Sequence, residues 1–325
     1  MATSASSALA NGHSASVNCL ALDHDSSLLA SGADDAAICL WDAGQRLLTA
    51  KWQCGGPAGA PVVSLAFSSP GFASGRLLFA AQGSAVHAWD LRSPAQPLLS
   101  ICAAEDEVNS VALLEEERRL ATADDTGAVK IFDAVSGELV RALHKHDNIA
   151  SAVIFRPTRT WHVISGGMDY RLVVTDWKGH RGEAVNIFDM SELQDAESTV
   201  SASGIGVNPP LVHCLAASSD GQFVAAGLEN GSVELFSGSG RHLLQSESLY
   251  GHSAGVSALL CLPGHLLLSG GNDRRCYLWA LDSEQAGASF AHSDKVNALC
   301  GTRPDRVFVA DSGSTVHCCD LSAAA

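Results

Sequence analysis

The sequence is short of aromatics (6%) and of charge (17%), and the charge it has is lopsided, with 35 acidic against 20 basic residues and a formal net of −15. Phosphate contact needs Lys and Arg clustered on one face, and an anionic membrane surface needs the same, so direct nucleic-acid and membrane partners are disfavoured. No run of about eighteen apolar residues occurs, so no transmembrane helix is expected. The opening MATSASSALANG has no apolar stretch of the signal-peptide kind. A secretory leader is therefore not expected, and a cytoplasmic or nuclear location is. The ten cysteines contain no Cys-x-x-Cys pair, and the thirteen histidines no His-x-x-x-His spacing. Structural zinc draws on such close pairs, so neither a metal nor a cofactor is expected. Cys19, Cys39, Cys261, Cys276 and Cys300 sit inside apolar runs and read as reduced, buried small hydrophobes. Cys318-Cys319 is too strained for an ordinary disulfide and reads as the two faces of one strand.

What is abundant is small. Glycine (30 residues), alanine and serine are spread throughout a chain of ordinary apolar content, the profile of many short strands joined by tight turns. A length of 325 residues suggests two domains, but all-β barrels and propellers spend that length on one.

Self-similarity decides between them. GHSASVNCLALDHDSSLLASGADDAAICLWD ends at Asp42, HDNIASAVIFRPTRTWHVISGGMDYRLVVTD at Asp176, and GHSAGVSALLCLPGHLLLSGGNDRRCYLWALD at Asp282. Each has a leading His, three short apolar stretches and two turns; the stretches are too short for helices and rich in Val, Ile, Leu and Cys, hence strands. Aligning on Trp41 gives Trp89, Phe132, Thr175, Phe236, Trp279 and Cys319 at intervals of 48, 43, 43, 61, 43 and 40 residues. Five of the six intervals lie near the roughly 40–45 residues of a four-stranded propeller blade. The long one carries about 18 extra residues, and the polar, Ser- and acid-rich segment 178–210 reads as a loop between blades four and five. The expectation is one all-β domain over residues 1–325, a seven-bladed β-propeller with repeats from about 13 to 320, monomeric by itself.

These repeats resemble those of the WD-repeat family over essentially the whole chain. The resemblance implies a hydrogen-bonded His, Ser, Asp and Trp tetrad bracing each blade. Here that means His13, Ser31, Asp35 and Trp41 in blade one, and His252, Ser269, Asp273 and Trp279 in blade six. Blade four keeps His146, Ser165 and Asp169 but has Thr175 for the Trp, and the other blades are degenerate. In the tetrad Asp accepts from His, His from the Ser hydroxyl, and that hydroxyl from the indole N–H, so every buried polar atom has a partner. The resemblance also implies that the outer strand of blade seven comes from the N-terminal segment, for which Thr3 to Asn11 would serve although SASSALA is a poor strand former.

Recurring Ser, His and Asp invite a hydrolase reading. They fall at equivalent places in several blades, however, whereas a catalytic triad occurs once. No catalytic residue is assigned and no enzymatic activity is expected. The pairs Asp34-Asp35 and Asp124-Asp125 precede third strands and read as turn formers. Arg156, Arg159, Arg171 and Arg181, with Arg274-Arg275, read either as solvated surface or as small basic islands for an acidic peptide.

Several stretches are similar to the WD repeat-containing protein 53 group in particular: LATADDTGAVKIFD (120–133), HDNIASAVIFRP (146–157), NPPLVH (208–213) and GHSAGVSALLCLPGHLLLSGGND (251–273). The long basic insertion associated with that group before the last blade is replaced by a short link, Ser283 to His292. The likeness implies a non-enzymatic interaction scaffold, namely a substrate receptor bound by the propeller adaptor of a cullin-4 ubiquitin ligase. Such adaptors grip a Trp-Asp-x-Arg sequence, which occurs once here, as Trp89, Asp90, Leu91 and Arg92. Substrate capture would then fall to the opposite face, around His13, His146, His252, His292 and the turns at Asp35, Asp169 and Asp273. The alternative is a general scaffold or peptide reader unconnected to ubiquitin.

Overall fold

A computed structural model describes residues 7–55, 59–72, 76–195, 208–281 and 286–321. They form seven four-stranded antiparallel sheets arranged as the blades of a propeller. Blade one, Val17–Leu22, Leu28–Ala33, Ala37–Asp42 and Leu47–Gln53, sets the pattern: its first strand lies at the axis and its fourth at the rim. The other axial strands are Val62–Phe67, Val108–Leu114, Ala150–Phe155, Val212–Ala217, Val256–Leu262 and Val296–Arg303. Together the seven line a central cavity of about 270 Å³.

The apolar cores lie between blades rather than within them. Seven clusters of buried side chains each straddle one junction: Ala30, Ile38 and Leu40 of blade one, for instance, meet Val62, Leu78 and Trp89 of blade two. The Ser-Gly step of the second strand follows from this. A Cβ on Gly32 would come within 2.5 Å of Val62, and one on Gly270 within 2.5 Å of Val296, so only glycine admits the next blade's valine. Cys318 packs into the seven–one junction and Cys319 into the six–seven junction, two faces of one strand.

Polar contacts join the blades as well. In every axial strand one residue drops out of the ladder as a bulge, among them Asn18, Asn109, Ser151, Ser257 and Asn297. These five side chains each donate to a carbonyl of the next blade: Asn109 to Ala150 at 3.1 Å, Ser151 to Val212 at 2.5 Å, and Asn297 across the closing junction to Val17 at 3.0 Å. Asn18 reaches Val62 at 3.4 Å, and Ser257 bonds the Val296 carbonyl.

Blade seven is closed by the N-terminal strand. Ser7, Ala8 and Leu9 pair antiparallel with Cys318, His317 and Val316. Leu9 compensates for a weak strand sequence because it is 1% exposed, among Val17, Leu29, Trp41 and Phe308. Thr3 to Ser6, the rest of the expected segment, lie outside the described residues.

The reading of 178–210 as a loop is corrected in part. Glu183–Asp189 is the outer strand of blade four, paired with Arg171–Asp176, and a short helix, Met190–Asp195, follows it. A rim strand has one solvated face and so reads as polar. Here a register shift between Ala184 and Asn186 also disrupts the alternation that would have revealed it. Phe188 packs at a tilt against Phe236 of blade five (4.6 Å between centroids) and Met190 is fully buried. Residues 196–207 lie outside the described part.

Candidate interaction faces

Antiparallel order sorts the loops onto two faces. Second-to-third-strand turns and the links into each next blade share one, the tetrad face. First-to-second and third-to-fourth turns share the other, which carries Arg92.

On the tetrad face, His13 Nδ1 lies 3.0 Å from Asp35 and its Nε2 2.8 Å from Ser31 Oγ, which the Trp41 indole reaches at 2.8 Å. Blade six repeats this with His252 to Asp273 (3.0 Å), His252 to Ser269 (2.8 Å) and the Trp279 indole to Ser269 (2.9 Å). In blade four His146 bonds Asp169 at 2.9 Å and Ser165 at 2.8 Å, while buried Thr175 fills the Trp position. The nearby Trp177 indole is spent on the Thr160 carbonyl (2.8 Å). Burial raises the Asp35 carboxyl, but the Ser14 amide, the His13 ring and the Ala37 amide outweigh it and hold the group at about 2. Burial lowers His13 and His252, partly offset by their Asp partners.

The degenerate blades fill the same space with other polar chemistry. The third-strand position two residues before the Trp site is Cys39, His87, Lys130, Val173, Glu234, Tyr277 and His317 in turn. Lys130 pairs at 3.1 Å with Asp124, whose side chain is fully buried and also accepts from Thr126. Glu234 accepts from Ser232, Gln245 and Ser248 at 3.0, 3.1 and 2.5 Å. His87 bonds Ser100 at 2.8 Å. In blade seven, His292 bonds Asp311 at 2.9 Å, with His317 beside it; burial and the His317 ring lower His292. The blade alignment fixed on Trp41 already places these side chains at one position, and that was the available signal for them.

The acidic pairs are more than turn formers. Each divides its labour: Asp35 joins the tetrad and Asp124 the Lys130 pair, while Asp34 and Asp125 accept from Asn18 (2.7 Å) and Asn109 (2.8 Å) at the bulges. Arg156 fits neither reading of the basic islands. It is 1% exposed, and its guanidinium donates to the carbonyls of Gly221 (3.2 Å), Gly240 (3.1 Å) and Gly238, clipping blade four to blade five. Arg159 reaches the Ser239 carbonyl and lies over Trp161, and Arg171 pairs with Asp147 at 2.7 Å. Burial pushes the thiols of Cys39, Cys214, Cys261 and Cys300 up to about 12, which makes them poor nucleophiles.

On the opposite face, the Trp89–Arg92 corner separates into three roles. Trp89 is 1% exposed and packs near Trp52 and His87, anchoring the end of its strand. Asp90 accepts from the Arg92 backbone (3.0 Å) and from its Nε (2.9 and 3.1 Å). Hydrogen bonds and charge from Arg92 hold the Asp90 carboxyl at about 2. Arg92 itself is 68% exposed. The structure does not bring this corner near the tetrads.

The WD domain, G-beta repeat family model matches residues 6–42, 207–237 and 243–280. These are WD repeats. Two of the matches begin on an outer strand and run into the next blade, so the WD repeat is offset from the blade by one strand, and the first repeat supplies the strand that closes the last blade. The chain is 24% identical over 340 residues to the WD repeat-containing protein 53 homolog of Dictyostelium discoideum, covering 92% of this chain and 90% of that protein. It is also 24% identical to the nuclear distribution protein nudF of Aspergillus niger, over 83% of this chain and 60% of that one. The Periodic tryptophan protein 2 homolog of Dictyostelium discoideum shares 24% identity over 62% of this chain and 20% of its own length. The WD-repeat propeller makes this a protein-interaction scaffold.

Proposed function

We propose that this scaffold is a substrate receptor, held by the propeller adaptor of a cullin-4 RING ubiquitin ligase through Arg92 and presenting its tetrad face to substrate. The observation that carries the reading is the Arg92 side chain, exposed at the end of a strand whose other residues serve the blade. Asp90 engages the Nε–Nη2 edge of the guanidinium and leaves the Nη1 edge for a partner carboxylate or carbonyl. An arginine oriented in advance loses less rotamer entropy on docking than a free one. In this reading Trp89 anchors, Asp90 positions and Arg92 makes contact. The likeness to the WD repeat-containing protein 53 homolog supports it as the likeness to nudF does not. The scaffold would work in the cytoplasm or nucleus.

Affinity capture with wild type and Arg92→Ala tests the proposal. The wild type should recover the adaptor and the variant should lose it. Equal recovery overturns the role of Arg92, and no recovery from either leaves a scaffold or peptide reader unconnected to ubiquitin.

A further inference from the structure

Blade seven brings together three ligand-type atoms that no motif spacing announces. His292 lies on the link into the blade, Asp311 ends the second strand, and His317 sits in the third. Their two imidazole nitrogens and one carboxylate oxygen all lie within 4.8 Å of one another. Asp311 Oδ2 is 2.9 Å from His292 Nε2 and 3.5 Å from His317 Nε2. Its Oδ1 is fixed by the Gly313 amide at 2.8 Å. The two rings meet edge to face, with centroids 4.9 Å apart. Two hydroxyls border the cluster: Ser293 Oγ at 3.1 Å from Asp311 and Thr315 Oγ1 at 3.1 Å from His317.

Blade three shows what this position demands. Asp124 and Asp311 occupy the same place in their blades, at the end of the second strand, and both carboxylates are buried. A buried carboxylate needs a compensating charge. In blade three Lys130 supplies it, and the residue in register with Lys130 in blade seven is His317, joined there by His292. Two imidazoles and a carboxylate converging on one point form a donor set suited to a divalent transition-metal ion, which would supply the charge.

We propose that His292, Asp311 and His317 bind one divalent transition-metal ion of the zinc type. Bonds of about 2.0–2.2 Å set tetrahedral ligand atoms about 3.3–3.5 Å apart. The 3.5 Å separation of Asp311 from His317 already matches that spacing, while the 2.9 Å separation from His292 would open slightly and the two imidazoles would draw closer. The Gly313 amide then orients the carboxylate from outside the ligand set. Entry is past His317, whose side chain is 19% exposed. Because His317 lies opposite Ala8 in the closing strand pair, the ion would brace the blade where the ring is joined.

Chelator-treated protein titrated with ZnCl2 by calorimetry, and with Co2+ by absorption, tests this. The expected result is one equivalent bound, Co2+ ligand-field bands without thiolate charge transfer, and a melting temperature that rises with Zn2+. His317→Gln and Asp311→Asn should each weaken binding by about tenfold or more. Should Asp311→Asn fail to fold, the partly exposed His317→Gln and the wild-type Co2+ spectrum still decide. No binding by the wild type, unchanged affinity in His317→Gln, or a thiolate band would overturn the site and leave a hydrogen-bonded His–Asp–His cluster.

Discussion

Blades one and six brace themselves with a neutral relay, indole to hydroxyl to imidazole, ending on an acid in a turn. Blades three and seven place the acid two residues earlier, at the end of the second strand, and meet it with a base from the third strand. The difference teaches that the fold accepts more than one polar plug between these strands, not one particular set of residues. Two chemistries serve, and they should fail differently when broken.

The largest effect is expected from Trp279→Ala, which empties a nearly full aromatic site and strips a donor from Ser269; about 3–5 kcal/mol should be lost in a denaturant or thermal melt. In blade four, where no indole reaches Ser165, Thr175→Ala should cost far less, and equal losses would erase the contrast. Next comes Lys130→Met, which leaves Asp124 buried without its cation and should cost about 3 kcal/mol.

A smaller effect appears only in acid. Among the described residues neither ring nitrogen of fully buried His162 has a hydrogen-bond partner, and burial, with the charge of Arg156, lowers it to about 4. The unfolded chain therefore binds this proton first. The stabilisation is complete above about 6.5 and is lost as the pH falls through about 4. His162→Leu should flatten the decline of the melting temperature over that window and leave neutral stability unchanged or higher. The depressed His13 and His252 add to the decline in the same direction, and the low Asp35 extends it toward pH 2. The smallest expected effect is that of Arg92→Ala, which should leave the melting temperature unchanged while affecting capture of the adaptor.

The ring was legible in the sequence because blades one and six use the same relay and blade four keeps its His, Ser and Asp, and the Trp-site spacing carries the register through blades that do not. Strand Glu183–Asp189 was not legible, because a rim strand exposes one face and this one is bulged. Arg156 was illegible for a different reason. Its three acceptors are backbone carbonyls some 65 to 84 residues away, and a carbonyl leaves no mark in composition. The blade-seven cluster lay in plain view one residue at a time, but its members come from three segments that only the closed blade assembles.

Residues Ser7 to Leu9 have no strand partner until Val316 to Cys318 have been made. On the ribosome these three residues must therefore wait until the third strand of blade seven has been made, and the joint should be the last of the seven blades to lock, carrying the longest loop-closure cost among the described strand pairs. Until then both the rim of blade seven and the exposed Val316–Cys319 edge are open to a second chain. A growing ring is thus exposed to strand exchange at one known place.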